Sequence, residues 1–249
     1  MLSFATKSTE EHGTVWLFSF EVRKTPNTRK IFKTIEKMPE RIIETKYFKA
    51  PISHAWPDPP YYSLYPKARC KFCSVETKAY CWLGEDEIDG VGCIDCLMSR
   101  KFSIAKDTEI GEINQQGQLE DYNDFGKKVF PEAPEGFTKE KLKEIIQTPN
   151  ISTYQGMYHP THCNDFMQYI GRWSRDDFNK HASDGDGKKL FEEMSEFEEG
   201  DVNLWLETDK ELKEQEQWQH KDSTWAFGAQ VYVFQCICCS YKYCSFDMQ

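Results

Sequence analysis

An α+β fold is what this 249-residue sequence predicts, and three observations predict it. Two CxxC pairs, Cys70-Lys71-Phe72-Cys73 and Cys93-Ile94-Asp95-Cys96, stand nineteen residues apart with a strand-like stretch between them. The last third carries apolar residues at helical spacing. The chain then closes on two apolar stretches, Gln230 to Gln235 and Tyr241 to Phe246, flanking a third CxxC at Cys236 and Cys239. The expected architecture is a ribbon-like β-knuckle region packed with a mainly helical C-terminal part that ends in a second CxxC β-hairpin. Along the chain this gives an N-terminal extension (1–46), a ribbon region (47–125) and a helical region with the terminal hairpin (137–249).

Each element follows from local chemistry. Thr14 to Val22 reads as a strand and Thr28 to Lys37 as an amphipathic helix with Ile31 and Ile35 inward, interrupted by Pro39. Prolines 51, 57, 59, 60 and 66 make the following stretch extended loop. Glu76 to Leu83 is strand-like, Gly84 to Gly92 an acidic loop, and Leu97 to Ala105 the start of a helix. Residues Asp107 to Gly136 are polar and broken by glycine and proline, so an irregular connection or lobe boundary is expected there. Thr138 caps a helix carrying Leu142, Ile145 and Ile146, which stops before Pro149. Further helices are expected from Thr161 to Ile170, with Gly171 at its end, from Lys188 to Phe197, and from Val202 to Trp218.

Composition narrows the function classes. A mean hydropathy of -0.70 and the lack of a long apolar run exclude a membrane-spanning helix. The first residues show no basic region followed by a small-residue cleavage site, which points to a cytoplasmic protein. In a reducing cytosol, close pairs among the ten cysteines are more often metal ligands than disulfides. The net charge is -10, and Glu192 to Glu216 holds eleven acidic residues against Lys210 and Lys213, 11 - 2 giving -9 in that segment. Such a surface disfavours nucleic acid and attracts a basic protein partner, with Glu207, Asp209, Glu211 and Glu214 as charges and Trp205 as an aromatic anchor. Charge of this kind also serves solubility alone.

The spacing of the first two pairs is that of a four-cysteine zinc site. A CxxC turn sets two thiolates on one side of a tight loop, and Cys70, Cys73, Cys93 and Cys96 can complete a tetrahedron around zinc. Four sulfur ligands leave no open position, so the site is structural. Cys81, midway between the knuckles, reads as a small buried side chain. Cys236 and Cys239 supply half of a second site, for which His162 and Cys163 are the best complement, with Cys238 or Cys244 as alternatives. Adjacent ligands diverge by about 100° on a helix, so His162 and Cys163 are expected at a helix start. The opposing reading has Cys236 and Cys239 as plain hairpin residues and His162 as a packed or capping side chain.

Several segments resemble the CbrC family, bacterial cytoplasmic proteins whose name is associated with colicin tolerance. An F-K-Y-H-P-type opening is matched by Tyr47-Phe48-Lys49-Ala50-Pro51. A C-x-C-C-G-like knuckle is matched by Cys70 to Ser74, with Phe72 and Ser74 replacing the cysteine and glycine. A C-P-W-C-I-like knuckle is matched by Cys93 to Leu97. The most specific match is a T-P-G-Y-x-x-W-Q stretch, here Thr148 to Gln155, leading to H-C-G-D, here His162-Cys163-Asn164-Asp165, and Tyr169-Ile170-Gly171. An L-F-R-C-x-x-C-G-like hairpin is echoed by Val233 to Ser240. His159 stands where the family usually has tryptophan, and is not carried over as a ligand.

Three functions follow. The leading one is a non-enzymatic, zinc-stabilised interaction protein that neutralises a bacterial toxin, such as a basic nuclease domain, by binding it; the resemblance implies the tolerance role. A zinc-ribbon nucleic-acid binder would rely on Lys67, Arg69, Lys71, Lys78, Arg100 and Lys101. An enzyme would rely on His162, Asp165 or Gln155, although no known catalytic motif surrounds them.

Overall fold

The computed structural model describes residues 40–55, 67–83, 90–153, 156–195, 225 and 229–247. The expected strand and helix before residue 39, the helix from Val202 to Trp218 and most of the acidic segment lie outside them.

The sheet that organises the rest is built from β13 (Gln168–Arg172), β14 (Gln230–Gln235) and β15 (Lys242–Asp247), antiparallel in that order. β14 is central and apolar on both faces, as a strand covered on two sides must be. Tyr232 and Phe234 enter one core with Ile43, Phe48, Ile94, Leu97 and Tyr169. Val231 and Val233 point the other way, into a second core of Trp173, Phe178, Phe191, Met194 and Trp225. The paired strands 230–235 and 242–247 match the terminal hairpin expected from sequence to within one residue.

Helices α3 (Arg175–His181) and α4 (Gly187–Met194) cover the second core. α3 begins in a full capping box between Ser174 and Asp177, and α4 on an Asp186 cap. The hairpin of β1 (Ile42–Glu44) and β2 (Lys49–Pro51) lies beside β13, where the Tyr169 N–H donates to the Tyr47 carbonyl at 3.0 Å.

The ribbon consists of β3 (Ala68–Arg69) paired with β4 (Glu76–Thr77), and β5 (Tyr80–Trp82) paired with β6 (Val91–Cys93). The single strand expected from Glu76 to Leu83 is thus two short strands. The helix expected to start at Leu97 is instead α1 (Ile94–Met98), which begins inside the second CxxC with Cys93 as its N-cap and ends before Arg100, at φ 58°.

Two further expectations are corrected. The stretch from Asp107 is not an irregular connection but a meander of β7 (Lys106–Thr108), β8 (Gly111–Ile113), β9 (Leu119–Tyr122) and β10 (Lys128–Val129). Its glycines are turn residues: Asn114-x-x-Gly117 and Asn123-x-x-Gly126 make the same loop, each asparagine side chain accepting two N–H groups of its own turn. Ile113 and Leu119 pack on α2 (Lys139–Ile145), capped by Thr138 and presenting Leu142 and Ile145 inward as expected. The second correction concerns Thr161 to Ile170, which forms β11 (Thr161–His162), β12 (Asp165–Phe166) and β13 rather than a helix. Cys163 and Asn164 both take left-handed φ, 52° and 55°, which ends any helix and makes a two-residue hairpin turn. Among the described residues no helix is long and apolar enough to cross a membrane.

Candidate metal centres

In the first centre the backbone presents the four sulfur atoms. Between β3 and β4 the chain turns so that the Cys70 N–H donates to the Val75 carbonyl at 2.9 Å and the Ser74 N–H donates to the Cys70 carbonyl at 2.8 Å. The Phe72 N–H then points at Cys70 Sγ, 3.4 Å away, and the Cys93 N–H at the same sulfur from 3.3 Å. Cys93 Sγ accepts the Cys96 N–H at 3.4 Å, at the start of α1. Cys73 Sγ and Cys93 Sγ are 3.6 Å apart, and the donor atoms of Cys70, Cys73, Cys93 and Cys96 all lie within 4.8 Å of one another.

Three of these cysteines are buried and Cys73 is half-buried. Phe72 stacks on Phe102 at 4.9 Å, and Phe102 packs against the cluster. Gly92 makes that fit possible, since a Cβ there would come within 2.3 Å of the Phe102 ring.

The second centre repeats the first knuckle at the tip of β14 and β15. The Cys236 N–H donates to the Tyr241 carbonyl at 2.7 Å, the Ser240 N–H to the Cys236 carbonyl at 3.1 Å, and the Cys238 N–H to Cys236 Sγ at 3.4 Å. Ser74 and Ser240, the residues after each knuckle, share left-handed φ values of 61° and 63°. The other half comes from the β11–β12 hairpin. His162 Nδ1 is 3.1 Å from Cys163 Sγ and 3.5 Å from Cys239 Sγ, and Cys163 Sγ is 3.7 Å from Cys239 Sγ. The hairpin lets adjacent ligands converge where a helix would spread them. His162 is further fixed by stacking on Tyr241 at 4.5 Å. This centre is more open: Cys163 and Cys239 are exposed, His162 half-buried and Cys236 buried.

The ligand hairpin has its own support. Lys141 Nζ donates to the carbonyls of Gly136 and Asn164, and it pairs with Asp165 at 3.5 Å. Asp165 is buried, pairs also with Lys46 at 3.3 Å, and accepts from the Tyr47 hydroxyl at 2.9 Å. Its carboxylate is thus engaged in holding the turn. His159 closes the base of the same hairpin: its Nε2–H donates to the Met167 carbonyl at 2.7 Å, while the Met167 N–H donates to the Pro160 carbonyl at 3.0 Å.

The donor sets fit a metal. In each cluster burial opposes ionisation, yet peptide N–H groups hold one thiol, Cys70 or Cys236, down at about 6. Burial and then competition with neighbouring sulfurs push Cys93 up to about 12, while hydrogen bonding to Cys239 is the first cause that pushes Cys163 up to about 11. The crowded sulfurs can all be thiolates only around a cation, and a bound metal supplies that charge. Other cysteines stand apart. Cys81 is buried in the main core and Cys244 in the second, while Cys238 is exposed and outside the four.

Residues 46–248 match the model of UPF0167, an uncharacterised protein family. The chain belongs to UPF0167. Both cysteine clusters and the hairpins that carry them fall inside the matched span. Searches of curated proteins and of solved structures returned no significant match. What can be said of this UPF0167 chain therefore rests on the two clusters, each able to hold a metal ion. Sequence reasoning missed the support around them, namely Lys141, Asp165, Tyr47 and His159. Gln155, Trp205, Glu207, Asp209, Glu211 and Glu214 lie outside the described residues.

Proposed function

We propose that this chain is a zinc-stabilised interaction protein that works by binding a partner rather than by catalysis. The observation that carries the reading is the convergence of two four-ligand sets, Cys70, Cys73, Cys93 and Cys96 on one side and His162, Cys163, Cys236 and Cys239 on the other. Thiolate-rich sets with one imidazole at most favour zinc over hard cations. A tetrahedron of Zn–S bonds of ~2.3 Å has edges of ~3.8 Å between sulfurs, and ~3.6 Å from sulfur to an imidazole nitrogen. The sulfur pairs at 3.6 and 3.7 Å and the Cys239–His162 pair at 3.5 Å are close to those edges, while the adjacent Cys163–His162 pair is shorter, at 3.1 Å. With four protein ligands, zinc at either centre would have no open position and would serve to hold the loops in place.

The partner in this reading is a basic toxin domain, with the chain acting as a tolerance or immunity protein. It is supported by the CbrC-like motifs and by the local charge of -9, from eleven acidic residues and two lysines between Glu192 and Glu216. An acidic segment of this kind steers onto the basic cleft of a nuclease.

Two experiments test the proposal separately. Metal analysis of the purified chain should find two zinc ions, with C70S losing one and C239S the other; one ion per chain would reject a centre, and iron in place of zinc would reject the metal. Joint replacement of Glu207, Asp209, Glu211 and Glu214 by their amides should weaken capture of a basic nuclease toxin domain, most at low salt. A capture unchanged by the replacements and by salt would sink the partner reading while leaving zinc untouched.

A further inference from the structure

Of the stretch that begins at Thr148, the most specific of the sequence motifs, no described residue belongs to either cysteine cluster. The stretch instead forms one wall of a pocket of about 310 Å³, opposite β7. Lys106 of β7 lines this pocket and is 5% exposed. Its ammonium donates to the Pro149 carbonyl at 2.8 Å, and among the described residues it has no ion-pair partner.

A buried cation hydrogen-bonded to a neutral carbonyl, with Cys81 and Asp107 offsetting burial only in part, is costly unless an anion joins it or it gives up its proton. Burial does draw Lys106 down, to about 7. An anion entering the pocket would restore the charged form and repay part of the desolvation cost. The remaining lining is mixed, with the polar side chains of Asn150 and Thr153, the imidazole of His159 and the apolar side chains of Ala105, Ile151 and Met157. Asp107 lines the pocket as well, which disfavours a multiply charged guest such as phosphate. The volume lies at the low end of small-molecule sites.

We propose that this pocket binds a small monocarboxylate, its carboxylate paired with Lys106 and its apolar body against Ile151 and Met157.

The test uses the full chain with its metal content matched between variants. The thermal midpoint is followed as hexanoate is titrated at constant ionic strength, with acetate and inorganic phosphate in parallel. Wild type should gain about 2–4 °C at saturating hexanoate, with a smaller gain from acetate. K106M, which removes a buried charge, should show no gain; K106Q, which keeps a donor toward Pro149, serves the same purpose if K106M does not fold. No rise in wild type, an equal rise in the variant, or a phosphate response equal to that of hexanoate would each overturn the proposal.

Discussion

His159 gives the structure a worked dependence on acid. It is 4% exposed, donates Nε2–H to the Met167 carbonyl, and packs edge-on against Phe166 and Phe234 at 6.2 and 5.6 Å. Burial is the main cause that lowers its pKa to about 3, with Lys106 adding to it. The imidazole therefore stays neutral in the folded chain, while in the unfolded chain it takes up a proton below about 6.5. A folded value below the unfolded one means that stability is complete above pH 6.5 and is lost as pH falls toward 3. Between pH 7.5 and 5.0 the loss from this one group is about 2 kcal/mol. H159F removes the titration but leaves the Met167 carbonyl without its donor, a penalty of about 1–3 kcal/mol at both pH values. Urea unfolding of both proteins at both pH values, with the same metal load, separates the two effects. Wild type should exceed H159F at pH 7.5, and the gap should shrink by about 2 kcal/mol at pH 5.0. Acid effects common to the two proteins, metal release among them, cancel in that comparison. A gap independent of pH would refute a buried neutral His159.

Three further outcomes are expected. S74G and S240G should each stabilise the chain by ~0.5–1 kcal/mol in thermal unfolding, because left-handed φ costs a side-chain-bearing residue more than glycine loses in chain entropy; S74A and S240A should bring no gain. G92A should cost ~1–3 kcal/mol by driving a methyl group into the Phe102 ring, and should speed metal loss from the Cys70 centre while leaving the Cys239 centre unchanged. A competing chelator should draw metal in two phases of one equivalent each, the exposed Cys163–Cys239 centre first, which the C239S variant identifies by lacking the fast phase.

The parts of this fold that were legible in the sequence are those specified locally. A CxxC turn, a Thr138 cap and the apolar run of β14 each involve residues a few positions apart, and each lies where the sequence placed it. Asn164 carried the signal that was passed over at the second centre. Asparagine tolerates left-handed φ, so Cys163-Asn164 between β-capable residues is a hairpin turn rather than the second turn of a helix. The same residue type marks the meander, where Asn114 and Asn123 each organise a loop that ends in glycine. α3 was missed although Ser174 and Asp177 spell a capping box, because its seven residues bury only Phe178 and show no apolar period. The supports of the ligand hairpin were not legible at all. Lys46, Tyr47 and Lys141 reach Asp165 from distant parts of the chain, a meeting only the tertiary fold creates.

The two centres share a knuckle but differ in what the knuckle is tied to, and that difference sets their weight in stability. Cys73 and Cys93 are 20 residues apart, whereas Cys163 and Cys239 are 76 apart. Closing the longer loop removes more freedom from the unfolded chain, by about 1 kcal/mol on the logarithmic scaling of loop entropy. The second centre also joins β11–β12 to the central hairpin, beside the edge-on contact of His159 with Phe234 of β14. The more exposed metal should therefore be the easier to remove and the more costly to lose. C239S should lower the thermal midpoint more than C73S when each variant retains its other metal. The reverse order would mean that burial at the Cys70 centre outweighs the longer closure.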